Sequence, residues 1–239
     1  MKMQRAINYL LDLVVVSVCA IVLTIGGYAT FDAVTVSTSA DIDTGLVELA
    51  DSDDSKELFR RLSEESSSVV GWLKIYDTNI NYPLVQGKDN DYFLSRNYKG
   101  EYATAGSAFL DYRNSYNFSD NITIIYGHRM GYGKMFSDVT RFSDKKYFET
   151  HEGGKLLTKT GSFDLDIVLF AKIKADEVLV YGIDAAQDGR ALELLEAVAS
   201  HNRGVNYGDK HILLSTCDAN DKSMRDVLLV RVLRGGMVQ

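Results

Sequence analysis

Eight short runs rich in β-branched and aromatic residues, at 69–76, 79–85, 107–111, 122–126, 155–159, 163–173, 211–217 and 227–233, are punctuated by Gly, Asn, Asp and Ser. Runs of this length and composition read as strands, with the turn residues marking their ends. Eight such strands leave two open edges unless the sheet closes on itself. The pattern therefore predicts a mainly β fold organised as a closed or nearly closed barrel. The single proline, Pro83, lies in Asn-Tyr-Pro-Leu and, having no N–H to donate, fits an edge strand. Helical stretches are expected at 90–95, 134–139 and 145–150, and most clearly at 190–200, where Leu192, Leu195 and Ala199 share one face. Ahead of the first strand, Ser55 is placed to cap an amphipathic helix reaching about Ser66, with Leu58, Phe59 and Leu62 at helical spacing.

A different constraint acts at the N-terminus. Residues 6–31 are almost uninterrupted apolar residues, and roughly 20 suffice to span a bilayer as a helix. Lys2 and Arg5 precede this run, whereas the charges that follow are acidic: Asp32, Asp41, Asp43, Glu48, Asp51, Asp53 and Asp54. By the bias of basic residues the N-terminus stays in the cytoplasm and the rest lies outside, the topology of a membrane-bound signal anchor. Two other readings stand beside it. One is a secretory signal cleaved near the small residues Ser37 to Ala40, and the other is a buried core helix. The expected organisation is a cytoplasmic tip and transmembrane helix over 1–31, an extracytoplasmic linker over 32–54, rich in Ser, Thr and Asp, and a catalytic domain over 55–239.

Composition excludes some functions. A net charge of −7 argues against a general nucleic-acid binder, which needs a basic surface. Two cysteines, one of them Cys19 inside the apolar run, do not make a disulfide framework. The four histidines, His128, His151, His201 and His211, lack metal-ligand spacing, so no metal and no cofactor are expected.

Cys217 remains as the candidate nucleophile. It ends the run His211-Ile-Leu-Leu-Ser-Thr-Cys217, so its thiol falls at a strand end, where a cleft can form. A thiol reacts as its thiolate and needs a base or cation nearby, and acyl transfer also needs donors for the developing oxyanion. His128 also ends a strand-like run and precedes a glycine-rich bend, Met-Gly-Tyr-Gly. By contrast His151 and His201 fall at helix ends, and His211 starts the nucleophile strand, which suits structural roles. Arg225 lies eight residues beyond Cys217, and an antiparallel return of the chain brings it beside the sulfur. Each residue has a bland alternative: an inert buried thiol, a solvated imidazole, a surface guanidinium.

Taken together, Tyr126-Gly-His128, Leu214-Ser-Thr-Cys217 and Arg225 behind an N-terminal anchor closely resemble the sortases, cysteine transpeptidases of Gram-positive cell surfaces. The stretches Asn81-Tyr-Pro-Leu-Val-Gln-Gly-Lys-Asp-Asn90 and Ala108-Phe-Leu-Asp-Tyr-Arg-Asn114 look specifically like class B. So do the helix before the barrel and the helix at 190–200, which matches the class B insertion between the sixth and seventh strands. The resemblance covers roughly residues 55–234. It implies an eight-stranded sortase β-barrel with catalysis on His128, Cys217 and Arg225. Asn90, Leu94, Tyr126, Tyr181 and Ser215, with Thr216, match positions lining the groove for a sorting signal, and the backbone N–H of Asp218 matches an oxyanion donor. Where the family often has Thr-Leu-Ser-Thr-Cys, this chain has Leu213-Leu-Ser-Thr-Cys217.

The implied reaction is cleavage of a C-terminal sorting signal of surface proteins through a thioacyl-enzyme. Transfer to an amine of the cell-wall precursor follows, or to a pilin lysine in a pilus-polymerising enzyme. The residues leave room for another cysteine hydrolase, for an L,D-transpeptidase and for a silent membrane-tethered scaffold.

Overall fold

The computed structural model describes residues 2–52, 54–217 and 221–233. Two compact units meet in the chain after Thr38. The first is the helix α1 (Lys2–Ser39). Within it Met3–Phe31, 29 residues with a hydropathy of 2.4, is long and apolar enough to cross a membrane. At 1.5 Å per residue this stretch is about 44 Å long against a hydrocarbon core of about 30 Å. Its hydroxyls turn back onto the helix: Ser17 Oγ donates to the Leu13 carbonyl at 2.8 Å and Thr30 Oγ1 to that of Gly26 at 3.0 Å. Such bonds satisfy polar side chains where no water is available. Large apolar side chains along this stretch, among them Leu13, Ile21 and Leu23, are exposed.

The second unit is a barrel. Its strands are β1 (Val69–Ile75), β2 (Asn81–Gln86), β3 (Ala108–Leu110), β4 (Ile122–Tyr126), β5 (Gly153–Thr158), β6 (Gly161–Lys174), β7 (Ala199–Asn202), β8 (Lys210–Cys217) and β9 (Met224–Val232). The order β5-β1-β2-β3-β4-β8-β9-β6 closes through β5–β6 pairing, so eight strands complete the ring as expected. The short β7 is a spur on β6. Most pairs are antiparallel, while β2–β3 and β4–β8 are parallel. β6 is long enough to pair with β5 through its first half and with β9 through its second. A register shift between Ile167 and Leu169 bends it, as closure requires.

Alternation along the strands sorts the core. Every ring strand sends residues inward, among them Leu73, Leu84, Leu110, Ile125, Leu156, Phe170, Leu214 and Leu228, and Phe136 and Phe142 fill the same interior. The other face of β4, β8 and β9, with Ile124, Leu213 and Leu229, is covered by α5 (Val178–Tyr181), α6 (Ile183–Gln187) and α7 (Arg190–Val198) through Val180, Leu192 and Leu195. These helices form the insertion between the sixth and seventh ring strands. Of the remaining expected helices, 145–150 is α4 (Lys145–Thr150), while Tyr92–Ser95 and Phe136–Ser143 are 3-10 turns.

Three local expectations are corrected. The helix before the barrel, α3 (Ser55–Glu65), is capped by Asp54, whose carboxylate accepts from the Glu57 N–H at 3.1 Å, and Ser55 is its buried first residue. Pro83 lies not in an edge strand but in β2, between β1 and β3. The β2–β3 ladder starts only at Leu84, so the missing N–H interrupts no bond there. Finally, part of the expected linker is the helix α2 (Thr44–Asp51). Asp43 caps it through bonds from the N–H groups of Gly45 and Leu46, and Leu46 and Ala50, one turn apart, are buried with Leu58, Leu62 and Trp72 of the domain.

Replacing Leu46 with Ala is expected to lower the unfolding free energy by about 2–4 kcal/mol, the cost of a truncated core leucine. A linker residue has no such cost, so denaturant unfolding decides between them. A second expectation concerns His211, 1% exposed at the start of β8. Burial pushes its imidazole below the ordinary 6.5, with Asp209 opposing in part. The neutral ring is favoured in the fold, so its contribution is complete above 6.5 and is lost as pH falls from there through the folded value. Stability measured against pH is expected to decline over that window, less steeply in His211→Asn.

Candidate active site

Three strand ends build the site. β8 and β9 pair antiparallel with Cys217 directly opposite Arg225. Opposed residues project to the same face with Cβ atoms roughly 5 Å apart, so the two side chains leave the sheet side by side. On the other side of β8 the parallel ladder with β4 ends at Tyr126 opposite Ser215, and the Gly127 N–H donates to the Ser215 carbonyl at 3.2 Å. Two residues farther along each chain stand His128 and Cys217. The expected return of Arg225 to the thiol is thus carried by register, and His128 arrives from the opposite flank.

The three side chains line one open cleft of about 270 Å³, together with Asn90, Leu94, Tyr126, Tyr181 and Ser215. Cys217 is half-buried and its thiol is free. His128 Nε2 lies 2.8 Å from the Leu94 carbonyl, which can only accept, so this nitrogen carries a proton and the ring is tied to the turn Tyr92–Ser95. Arg225 uses Nη1 to donate to the carbonyls of Lys222 and Met224, at 2.9 and 3.0 Å. The Tyr181 hydroxyl is 2.8 Å from Ser215 Oγ, and burial pushes its phenol up to about 12, so it is a neutral hydrogen-bonding group at physiological pH. Tyr126 stacks on Tyr181 with ring centroids 6.2 Å apart and donates to Asp111 Oδ2 at 3.0 Å.

Thr216 departs from the pattern. It alternates onto the barrel side of β8 with Leu214 and is 2% exposed, yet it is among the residues lining the cleft. Asp218 lies outside the described residues. Reading the sequence missed Phe109 and Ala175 in the cleft wall, and also Asp111 and Arg113 behind it. The signal was Asp-Tyr-Arg directly after a strand-like run, a carboxylate and a guanidinium two residues apart. Among the described residues no cluster of His, Cys, Asp or Glu could hold a metal ion.

Gly127 links Tyr126 to His128. A Cβ there would lie 2.6 Å from Phe136 Cγ, and Phe136 is wholly buried with its N–H bonded to the His128 carbonyl at 3.0 Å. Gly127→Ala must therefore displace either the aromatic core or the histidine. Loss of a degree of activity out of proportion to a lowered melting temperature is the expected outcome, checked by measuring both on the same preparation.

No protein-family model matches the chain. Among curated proteins it is 37% identical over 170 residues to sortase B of Listeria monocytogenes, covering 68% of each chain. Staphylococcus aureus sortase B in a substrate complex superimposes with a TM-score of 0.70 at 25% identity, over 80% of this chain and 92% of that one. A Streptococcus pyogenes class B sortase involved in pilus biogenesis gives 0.68 at 28% identity, over 73% and 97%. A closed eight-stranded barrel, a thiol at the end of its seventh ring strand and these likenesses lead to one conclusion: the chain belongs to the class B sortases, a family of cysteine transpeptidases.

Proposed function

We propose that this sortase cleaves a C-terminal sorting signal of surface proteins and joins the released carbonyl to an amine of the cell-wall precursor. The Cys217 thiolate attacks the carbonyl of a threonine in the signal, and the oxyanion is held by Arg225 and the Asp218 N–H. As the C–N bond breaks, protonated His128 gives its proton to the departing amine and a thioester remains on Cys217. The acceptor amine then attacks the thioester, loses a proton to His128 and frees the thiolate. A peptide bond is exchanged with no net redox change. Asn90, Leu94, Tyr126, Tyr181 and Ser215 bind the signal.

The observation that carries this reading is the pairing of Cys217 with Arg225 across β8–β9, beside a cleft that His128 also lines. Orientation follows from charge: Lys2 and Arg5 keep the N-terminus of α1 in the cytoplasm, the helix anchors the enzyme, and the barrel faces outward. A second acceptor, a pilin lysine, is favoured by one finding, the similarity to a class B sortase involved in pilus biogenesis.

The full-length chain in detergent, incubated with a library of sorting peptides, is expected to yield a mass adduct on Cys217. Cys217→Ala abolishes it; cleavage that survives in that variant removes the assigned nucleophile. Arg225→Lys keeps charge but loses the fork, and is expected to lower kcat/KM by about 10²–10³, the usual cost of an oxyanion donor. Added stem-peptide amine or lysine-bearing pilin peptide reports the acceptor. A product unchanged by either amine makes the enzyme a hydrolase.

A further inference from the structure

One buried carboxylate stands behind the cleft without lining it. Asp111 follows β3 directly, is 0% exposed, and takes five hydrogen bonds. Its Oδ1 accepts from the Arg113 main-chain N–H at 3.0 Å and from Arg113 Nε at 2.8 Å. Its Oδ2 accepts from Arg113 Nη2 at 2.7 Å, Asn90 Nδ2 at 2.9 Å and Tyr126 Oη at 3.0 Å. Arg113 Nη2 also donates to the Tyr181 carbonyl at 2.9 Å. Gln86 fixes the turn itself by donating to the carbonyls of Asp111 and Asn114, at 3.0 and 2.7 Å.

The arrangement has directional consequences. Asn90 donates to Asp111 through Nδ2 while its Oδ1 accepts from the Tyr112 N–H at 3.0 Å, so its amide has one consistent orientation. The only hydroxyl proton of Tyr126 is committed to Asp111, which leaves its oxygen lone pairs as acceptors. Tyr181 is held at its main chain by Arg113 and at its ring by Tyr126. Three cleft residues from three separate elements thus take their positions from one ion pair. Burial alone would raise the Asp111 carboxyl, but the Arg113 guanidinium and N–H and the Asn90 amide hold it below the usual carboxylate range, so it is charged.

We infer that Asp111, paired with Arg113, is a positioning residue for recognition of the sorting signal: it sets the hydrogen-bonding polarity of Asn90 and Tyr126 and the place of Tyr181, and takes no part in the chemistry at Cys217. The inference rests on the proposal that this cleft binds the signal. Asp111→Asn tests it, because an amide nitrogen replacing either carboxylate oxygen meets at least two groups that already donate.

With the full-length chain in detergent and a peptide that forms the thioester on the wild type, KM is expected to rise about tenfold or more, the scale of hydrogen bonds lost from a buried charge, with kcat little changed. The rate at which iodoacetamide alkylates Cys217, followed by mass, is expected to stay at the wild-type value, since the small reagent needs no groove. The Asp111→Asn effect should also shrink in an Asn90→Ala background. An unchanged KM, an alkylation rate that falls together with KM, or an undiminished effect beside Asn90→Ala each overturns the positioning role. If Asp111→Asn does not fold, Arg113→Lys, a third exposed and without the fork, carries the same measurements. Wild type that forms no peptide thioester removes both this inference and the proposed function; wild type that forms it beside an unaffected Asp111→Asn removes this inference alone.

Discussion

The site depends on the register of β8. This strand pairs in parallel with β4 and antiparallel with β9, and the two ladders bring His128, Cys217 and Arg225 to one face from distant stretches of chain. The register is set on the opposite face, where Ile212 and Leu214 pack with Leu228 and Val230 inside the barrel. A slip by one residue would exchange Ile212 and Leu214 with Leu213, which packs under the helices, and turn Cys217 into the barrel. Packing on both faces of β8 therefore opposes a one-residue slip, the one that would turn the thiol into the barrel. The chemistry rests on the same alternation that closes the barrel.

That dependence explains what the sequence could tell. All eight ring strands were legible because runs rich in β-branched and aromatic residues, bounded by turn residues, mark strands wherever they are buried. That His128, Cys217 and Arg225 line one cleft was legible because each lies next to the end or the start of a strand-like run, a place the sequence marks. Pro83 was read correctly as a residue that cannot donate. It was assigned to an edge because the sequence does not say that β3 is only three residues long and pairs with β2 only from Leu84 on, leaving Pro83 paired with β1 alone.

Other features were hidden for physical reasons. In α2 the acidic residues Glu48 and Asp51 masked the pair Leu46 and Ala50, and a helix this short shows its apolar face only once a partner surface is known. Asp54 rather than Ser55 caps α3, a one-residue ambiguity that two adjacent good caps make unavoidable. Thr216 does line the cleft, although strand alternation puts its side chain on the same face as Leu214. Asp111 was read only as the end of a strand-like run, and Arg113 was given no role in the cleft. Burial of a carboxylate is a tertiary fact, decided here by Asn90 and Tyr126, which the chain delivers from two other segments.

The cleft thus has two supports with different physics, and β4 belongs to both. Hydrogen bonds of a ladder fix Cys217 and Arg225, and these are set by backbone geometry. A buried charge fixes the groove wall, and this is set by the number and direction of donors around it. β4 joins them: its Ile124 carbonyl accepts from the Asp111 N–H at 2.9 Å, its Tyr126 hydroxyl donates to the Asp111 carboxylate, and its next residues are Gly127 and His128. A displacement of β4 along its axis would move histidine and groove wall together relative to Cys217. A change confined to Asp111 would alter the wall and leave the β8–β9 register intact. Recognition can accordingly vary on this scaffold without disturbing the thiol, whereas the position of His128 cannot change without affecting recognition.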